Sequence, residues 1–470
     1  MNSFIQYVLY ELRDSLGFVI FAGVFGALAI GCANLVFRKK YKGERKFPWG
    51  KIFLTLLLAG YLLFVLSVTI LRKQSGFHRE YNLHFFRAWR EAWNNFSVKN
   101  WANVLLNVAL FTPLGVLLPL IWRKCRKWYV TVPIGFATSF AIELIQLTIS
   151  RGICDVDDLF ANTLGTVLGF CCIMAILSLF NIKGRKLKPC LLYSGITLIP
   201  ILAICGIFIS YHFQVYGNLP QAAAYTNDTK GVKWTLECEL PEIETEVAVY
   251  QTQTRSKMEC DAFADNFKQI INTEYNTVSY YQEAAYYMDN GGDGGAHFLH
   301  VNYLDQGYEY SAHFNDDVAW GILDRTAVEM ALAKYPVQLP TSAEFTVEED
   351  GWYSFTAHQH IDGAMLFDGT LRVRITQDGN IRELRNQLLS YRYYDRVEVI
   401  TPREAFARLK AGKFNDDGYL EHIQPTDVSV TECVLEYKVD TKGFYQPVYI
   451  FHLKSYDDSY KDSIIIPAMK

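Results

Sequence analysis

The chain has 470 residues, more than a single hydrophobic core usually serves, so two domains are expected before any motif is read. Its formal net charge of −4 conceals an uneven division: residues 211–470 hold 22 Lys+Arg against 40 Asp+Glu, a net of −18, which leaves +14 for the remainder. A basic, apolar first half and an acidic second half suit a membrane anchor that carries an exported domain, and no nucleic-acid partner is expected.

Six segments are apolar over the roughly 20 residues that a helix needs to cross a bilayer. In chain order they are Leu16 to Phe37, Ile52 to Leu71, Trp101 to Trp122, Trp128 to Ser150, Leu159 to Phe180 and Cys190 to Ser210. The first is too long, and too poor in preceding basic residues, to be a cleaved signal peptide, so it is expected to stay. Lys and Arg concentrate in Arg38 to Lys46, in Arg123 to Lys127 and in Lys183 to Lys188. Short basic loops tend to remain in the cytoplasm, so these three face inward, and both termini and the large domain face outward. The loop of residues 72–100 dissents with six basic residues and is outvoted by the three denser clusters.

Polar residues inside the spans fall at one depth. The third span opens with Asn103 and Asn107 and then meets Pro113 and Gly115, which should loosen or bend it. The fourth ends with Ser139, Glu143 and Gln146 at spacings that share a face. The turn Arg151-Gly-Ile-Cys-Asp-Val-Asp-Asp158 leads into a fifth span that continues with Asn162, Gly165 and Gly169. A carboxylate at mid-bilayer costs roughly 2.5 to 3.5 kcal/mol, so Glu143 should face the bundle and be partnered, with Arg151 as its counter-ion; Arg151 could equally pair with Asp155. Gly165 and Gly169, four apart, suit close helix packing. Asn103 and Asn107 fit interhelical hydrogen bonding as well as they fit a site.

The segments Asn82-Leu-His-Phe-Phe86, Asn107-Val-Ala-Leu-Phe-Thr-Pro-Leu-Gly-Val-Leu-Leu-Pro119, Ser139-Phe-Ala-Ile-Glu-Leu-Ile-Gln146 and Arg151-Gly-Ile-Cys-Asp-Val-Asp-Asp-Leu-Phe-Ala-Asn-Thr-Leu-Gly165 occur in that order over residues 81–169. In this order they resemble the successive motifs of the VanZ-like family. His84-Phe85 departs from the aliphatic residue and proline more usual there. Carried over by position, the family's polar core would be Asn107, Glu143, Gln146, Arg151, Asp155, Asp158 and Asn162. The resemblance implies a bacterial cell-envelope protein of the membrane, whose namesake is linked to low-level resistance to glycopeptide antibiotics of the teicoplanin type. It points to a lipid-linked cell-wall precursor or a lipoglycopeptide as partner and to no cofactor.

The second half reads as an extracellular α+β domain with an antiparallel sheet. Alternating stretches at Val232 to Leu240, Trp352 to His358, Gly369 to Thr376 and Tyr445 to Leu453 suit strands with one wet face, and Asp350-Gly351 and Asp378-Gly379 are turn dipeptides beside them. Helices are expected near Cys260 to Ile271 and Pro402 to Ala411, the second capped by Thr401 with Glu404. The stretch from Ile400 to Gly412, with Phe444 to Phe451, weakly resembles PepSY and YycI-type extracellular modules. His297, His300, His313, His358 and His360 have no third ligand at a characteristic spacing and read as strand residues, so no metal is expected. Asp289 to Gly295 reads as a hairpin loop rather than a calcium loop. Cys238 and Cys260 could pair, although a domain of this size holds a core without a disulfide.

The expected organisation is two spans in residues 1–75, a VanZ-like membrane domain in 76–182, a sixth span in 183–212 and the exported domain in 213–470. A protein that binds an outer-leaflet ligand in its membrane pocket is favoured. The alternative is a membrane-embedded enzyme acting on a lipid headgroup, with Glu143 or Asp155 as general base and Arg151 holding a phosphate.

Overall fold

The computed structural model describes residues 48–71, 81–149, 153–180, 187–242, 245–252, 254–281, 284–289, 295–313, 319–320, 322–415, 427–455 and 461–470. The first expected span, the basic run Arg38 to Lys46, Arg151, Lys183 to Lys186 and residues 290–294 of the Asp289 loop lie outside them. The chain divides into two compact units, Met1–Gln214 and Val215–Lys470.

Among the described residues the first unit contains five helices long and apolar enough to cross a membrane. These are α1 (Trp49–Leu66), which runs into a π-helical turn at Ser67–Leu71, α3 (Val98–Ile121), α4 (Trp128–Ile149), α5 (Val156–Phe180) and α6 (Leu187–Phe213). A short helix, α2 (Arg87–Asn95), lies before α3. The chain is thus a membrane protein in its first half. Pro113 does not interrupt α3, which continues through it and through Pro119; the neighbouring helices hold the chain where the missing N–H would weaken it.

The tightest seam joins α3 to α5, and it depends on glycine. A Cβ on Gly165 would run into the Val108 carbonyl, one on Gly169 into the Thr112 carbonyl, and one on Gly115 into the Thr166 carbonyl. Lipid gives helices no hydrophobic reason to associate, so close backbone approach supplies the dispersion contacts instead. The order of these contacts makes α3 and α5 parallel. Gly135 of α4 meets Thr166, and Ser139 meets Asn162, so α4 runs antiparallel to α5. The phenol of Tyr61 donates to the Leu110 carbonyl at 2.7 Å and docks α1 onto α3. One end of the bundle therefore collects the starts of α3 and α5 with the close of α4. The other end carries the basic 3₁₀ turn Arg123–Arg126 between α3 and α4.

The second unit is built on an extensive sheet whose strands follow the order β3 (Lys233–Leu236), β14 (Asp427–Val439), β15 (Phe444–Ser455), β4 (Glu246–Gln251), β13 (Leu389–Glu398), β11 (Met365–Ile375), β12 (Ile381–Asn386), β8 (Tyr308–His313), β7 (Ala296–Asn302), β6 (Ala284–Asp289) and β5 (Thr277–Tyr280). Off this path, β16 (Lys461–Pro467) pairs with β15, while β10 (Trp352–Asp362) pairs with β11 and with β9 (Glu344–Val347). Within this sheet the described pairings are antiparallel except that of β3 with β14. Asp350 and Gly351 both take positive φ in the β9–β10 turn, as the dipeptide predicts.

Two helix-on-sheet cores result. In one, Cys260, Ala264 and Phe267 of α7 (Lys257–Ile271) and Val328 and Leu332 of α8 (Arg325–Leu332) bury against Leu299, Val301, Phe355, Leu371, Val373 and Leu384. In the other, Ala405 and Leu409 of α9 (Pro402–Lys410) bury against Val430, Tyr449, Phe451, Leu453, Ile464 and Ile466. The expected cap of α9 is present in both directions: Thr401 accepts from the Glu404 amide at 3.2 Å, and Glu404 accepts from the Thr401 amide at 2.8 Å. Ser256 and Glu259 build the same box on α7, and α8 is a third helix that the sequence reading missed. Cys238 and Cys260 are both free thiols.

Candidate functional site: the polar end of the membrane bundle

The sequence Cys154-Asp-Val-Asp-Asp158 sets the site. Its first two residues form β2 (Cys154–Asp155), a short parallel pair with β1 (Tyr81–Asn82), and the next residue begins α5. This places three successive acidic positions in different directions, because the chain changes from extended to helical between them. Asp155 accepts from the Asn82 side-chain amide at 3.1 and 3.2 Å, and from the Asp157 backbone amide at 2.8 Å. Asp157 is buried and accepts from the backbone amides of Phe86 at 2.6 Å and Ala88 at 2.7 Å. It therefore caps the first turn of α2 from another part of the chain, satisfying N–H groups that have no partner inside that helix. Asp158 faces α3, where the Asn107 side-chain amide donates to it.

On the opposite side of α5, Glu143 is 4% exposed and accepts from the Asp155 amide at 3.0 Å. Asn162 donates to the Ser139 hydroxyl at 2.9 Å, and the Thr166 hydroxyl donates to the Asn162 carbonyl at 3.1 Å. Gln146 is 2% exposed and donates to the Thr69 carbonyl at 2.8 Å, tying α4 to the end of α1. The side-chain oxygens of Gln146 and Asn162 are buried with no hydrogen-bond partner.

The structure thus brings Asn107, Glu143, Gln146, Asp155, Asp158 and Asn162 to one end of the bundle but not into one hollow. Asn107 and Asp158 line a cavity of about 90 Å³, together with Glu91, Asn100, Asn103 and Asp157. Glu143, Gln146 and Asn162 belong to a buried layer between α4 and α5, and Asp155 ties β2 to the loop ahead of α2. Arg151, expected as the counter-ion of Glu143 or Asp155, lies outside the described residues. Asn82, Glu91 and Asp157 were missed as site residues. Asn82 and Asp157 stood inside the quoted motifs, whereas Glu91 had no signal beyond its place in the loop before the third span.

Beside the cavity is a larger, mainly apolar groove of about 460 Å³ walled by Trp89, Trp93 and Trp101 and by Ala203, Gly206, Ile207 and Ser210 of α6. Trp89 borders both hollows. Phe96 stacks on Tyr211 at 3.3 Å, and Trp101 packs on Phe208 at 4.9 Å, so aromatic contacts fix α2 and the start of α3 against the close of α6.

Comparison with known proteins gives a match of residues 51–180 to the family model described as VanZ/LLP1. Among solved structures, the Bacillus megaterium YpeB C-terminal domain is similar at 11% sequence identity and a TM-score of 0.20, covering 46% of this chain and 95% of that one. No curated protein matches the chain.

Proposed function

From a membrane half that is VanZ-like over residues 51–180, we propose a bacterial cell-envelope protein that engages a lipid-linked or lipopeptide ligand from the outer leaflet and so contributes to tolerance of teicoplanin-type glycopeptides. The observation that carries this reading is the position of the acidic cavity. It lies at the end of the bundle opposite the basic turn Arg123–Arg126, and short basic loops favour the cytoplasmic side. Intramembrane carboxylates are costly to keep and mark ligand paths more often than packing. In this reading both termini lie outside, and the acidic second half is a sensing or regulatory domain.

Binding is favoured over hydrolysis or transfer at a headgroup. The two carboxylates named as candidate bases, Glu143 and Asp155, each accept a backbone N–H, and Asp155 also holds Asn82. Such bonds hold the two carboxylates in place and restrict their reach, which suits a fixed wall better than a proton carrier.

The test is growth of cells expressing the wild type, Glu143→Gln or Asp158→Asn across a series of teicoplanin concentrations, with membrane levels equalised by immunoblot. The reading expects protection by the wild type and its loss in Asp158→Asn. Equal growth of all three strains and the empty-vector control would overturn it.

A further inference from the structure

Cys238 and Cys260, the pair that the sequence suggested, sit in different cores. Cys260 is buried in the core packed on α7, whereas Cys238 packs against the core of α9, which also contains Cys433 at 6% exposure. The pairing of β3 with β14 sets the register of Cys238 and Cys433. Trp234 lies opposite Val428 and Leu236 opposite Val430, and the Glu237 amide extends the ladder to the Val430 carbonyl at 3.0 Å. Cys238 is the next residue, and alternation along a strand puts it on the Trp234 face, where both side chains meet the α9 core. A straight register would set Glu432 opposite Cys238. Instead β14 carries a bulge between Val430 and Glu432, with Thr431 as the extra residue, and this moves Cys433 to that position. Adjacent strands lie roughly 4.8 Å apart, inside the Cα span of about 4.4–6.8 Å that a disulfide bridges. The two thiols also sense each other: burial first, and then the charge of Cys238, push the Cys433 thiol up to about 12.

We propose that Cys238 and Cys433 form a disulfide that fastens β3 to the sheet. β3 ends the strand order and is held to β14 over four paired residues, so fraying of this sheet end starts there. The bridge closes a loop of about 195 residues, and long loops gain most from closure. Cys238 is the more exposed of the two thiols. As a thiolate it attacks a disulfide of a small-molecule or protein donor, and one donor thiolate leaves. The Cys433 thiolate then attacks the Cys238 sulfur, and the second donor thiolate leaves. Two cysteine thiols are oxidised, one donor disulfide is reduced to two thiols, and the protons lost from the cysteines end on those thiols. Such donors persist in oxidising compartments. In the cell the bridge therefore rests on the outward placement of the second unit proposed above, while the pairing itself rests on the register.

In the experiment, the full chain purified in detergent is treated with oxidised glutathione, alkylated, digested without reduction and mapped by mass spectrometry. The expected result is a cross-linked peptide joining Cys238 to Cys433, lighter by two hydrogens than the two reduced peptides together. The linked protein should melt about 5 °C or more above the reduced one. Cys238→Ser should abolish both the link and the redox dependence of melting. Cys433→Ala should do the same, and if the loss of its buried sulfur leaves that variant unfolded, Cys238→Ser decides. Glutathione carried on Cys238 without the linked peptide, or a link from Cys238 to Cys260, overturns the pairing. Melting unchanged by the link overturns the fastening of β3. Alkylation of intact cells before lysis separates the pairing from the placement. A link in the purified chain with free thiols in intact cells upholds the pairing and counts against an exported domain, whereas no link in the purified chain overturns the pairing wherever the domain lies.

Discussion

Asp157 shows how a single carboxylate can organise a site it was not expected to join. Both of its oxygens accept backbone amides at the start of α2, and charge-assisted bonds of this kind are about twice as strong as neutral ones. Asp157→Asn keeps the size but replaces one acceptor by a donor facing an N–H. It should destabilise the purified full chain by about 1–3 kcal/mol, read as a lowered melting temperature in detergent; an unchanged melting temperature would show that α2 does not need this cap. The helical spacing that groups Asp158 with Asn162 turns Asp157 away from that face, and its partners are amides about 70 residues upstream, so nothing local in the sequence announces the role. Gly165 and Gly169 were legible because a four-residue repeat of small residues has one economical use in lipid. In the second unit, burial holds the His297 imidazole below its ordinary value of 6.5, with Arg382 acting in the same direction and Asp289 opposing. A folded-state value below the unfolded one means that unfolding takes up a proton, so stability is present above pH 6.5 and is lost as pH falls through the folded value. His297→Gln, which keeps a polar partner for the Tyr310 hydroxyl now 2.9 Å from Nδ1, should flatten that dependence in denaturation curves taken between pH 7.5 and 5.

Among elements, the α3–α5 seam is the most demanding, since it leaves no room for a side chain at three positions. Gly165→Leu should cost about 3 kcal/mol or more through forced separation of the two helices and remove folded protein from the membrane, whereas Gly195→Leu, in open space on α6, should be tolerated. Comparable folded yields of the two variants would contradict this packing. The long spans and the Thr401–Glu404 box were readable because each has a strong local signal: an unbroken apolar run, or a hydroxyl three residues ahead of a glutamate. The short α2 was not readable. Its first turn is capped by Asp157 from α5 and entered through Phe86 at φ +63°, a conformation that no bulky residue favours in isolation. The two-residue pairing of β1 with β2 was equally hidden, since a strand of that length has no period to detect. Glu404 and Glu259 are both held below the usual carboxylate range, each first by the backbone amide of its cap residue, Thr401 and Ser256. Depressed values place that stabilisation above pH 4.5, and it is lost as pH falls through the folded values, so fraying of α7 and α9 should begin at acid pH.

At the scale of the whole molecule, the uneven charge and the basic turn opposite a polar end support the reading proposed above, of a membrane unit whose acidic cavity opens outward and an exported acidic domain. Composition carried the division into two units, because a bilayer and water select such different residues. It could not carry the separation of the polar residues into an open cavity and a buried layer, which depends on how α2 folds over the start of α3 and on the turn from β2 into α5. The orientation is the claim on which the ligand and the antibiotic reading both stand. It is tested most directly by labelling intact cells with a membrane-impermeant maleimide, using single cysteines placed in an otherwise cysteine-free chain. The three positions are Lys99, exposed at the start of α3, Lys124 in the basic turn, and Asp378 in the β11–β12 turn. The account predicts labelling at Lys99→Cys and Asp378→Cys, with Lys124→Cys labelled only after the cells are broken; labelling of Lys124→Cys in intact cells, with the other two protected, would turn the cavity toward the cytoplasm and contradict it.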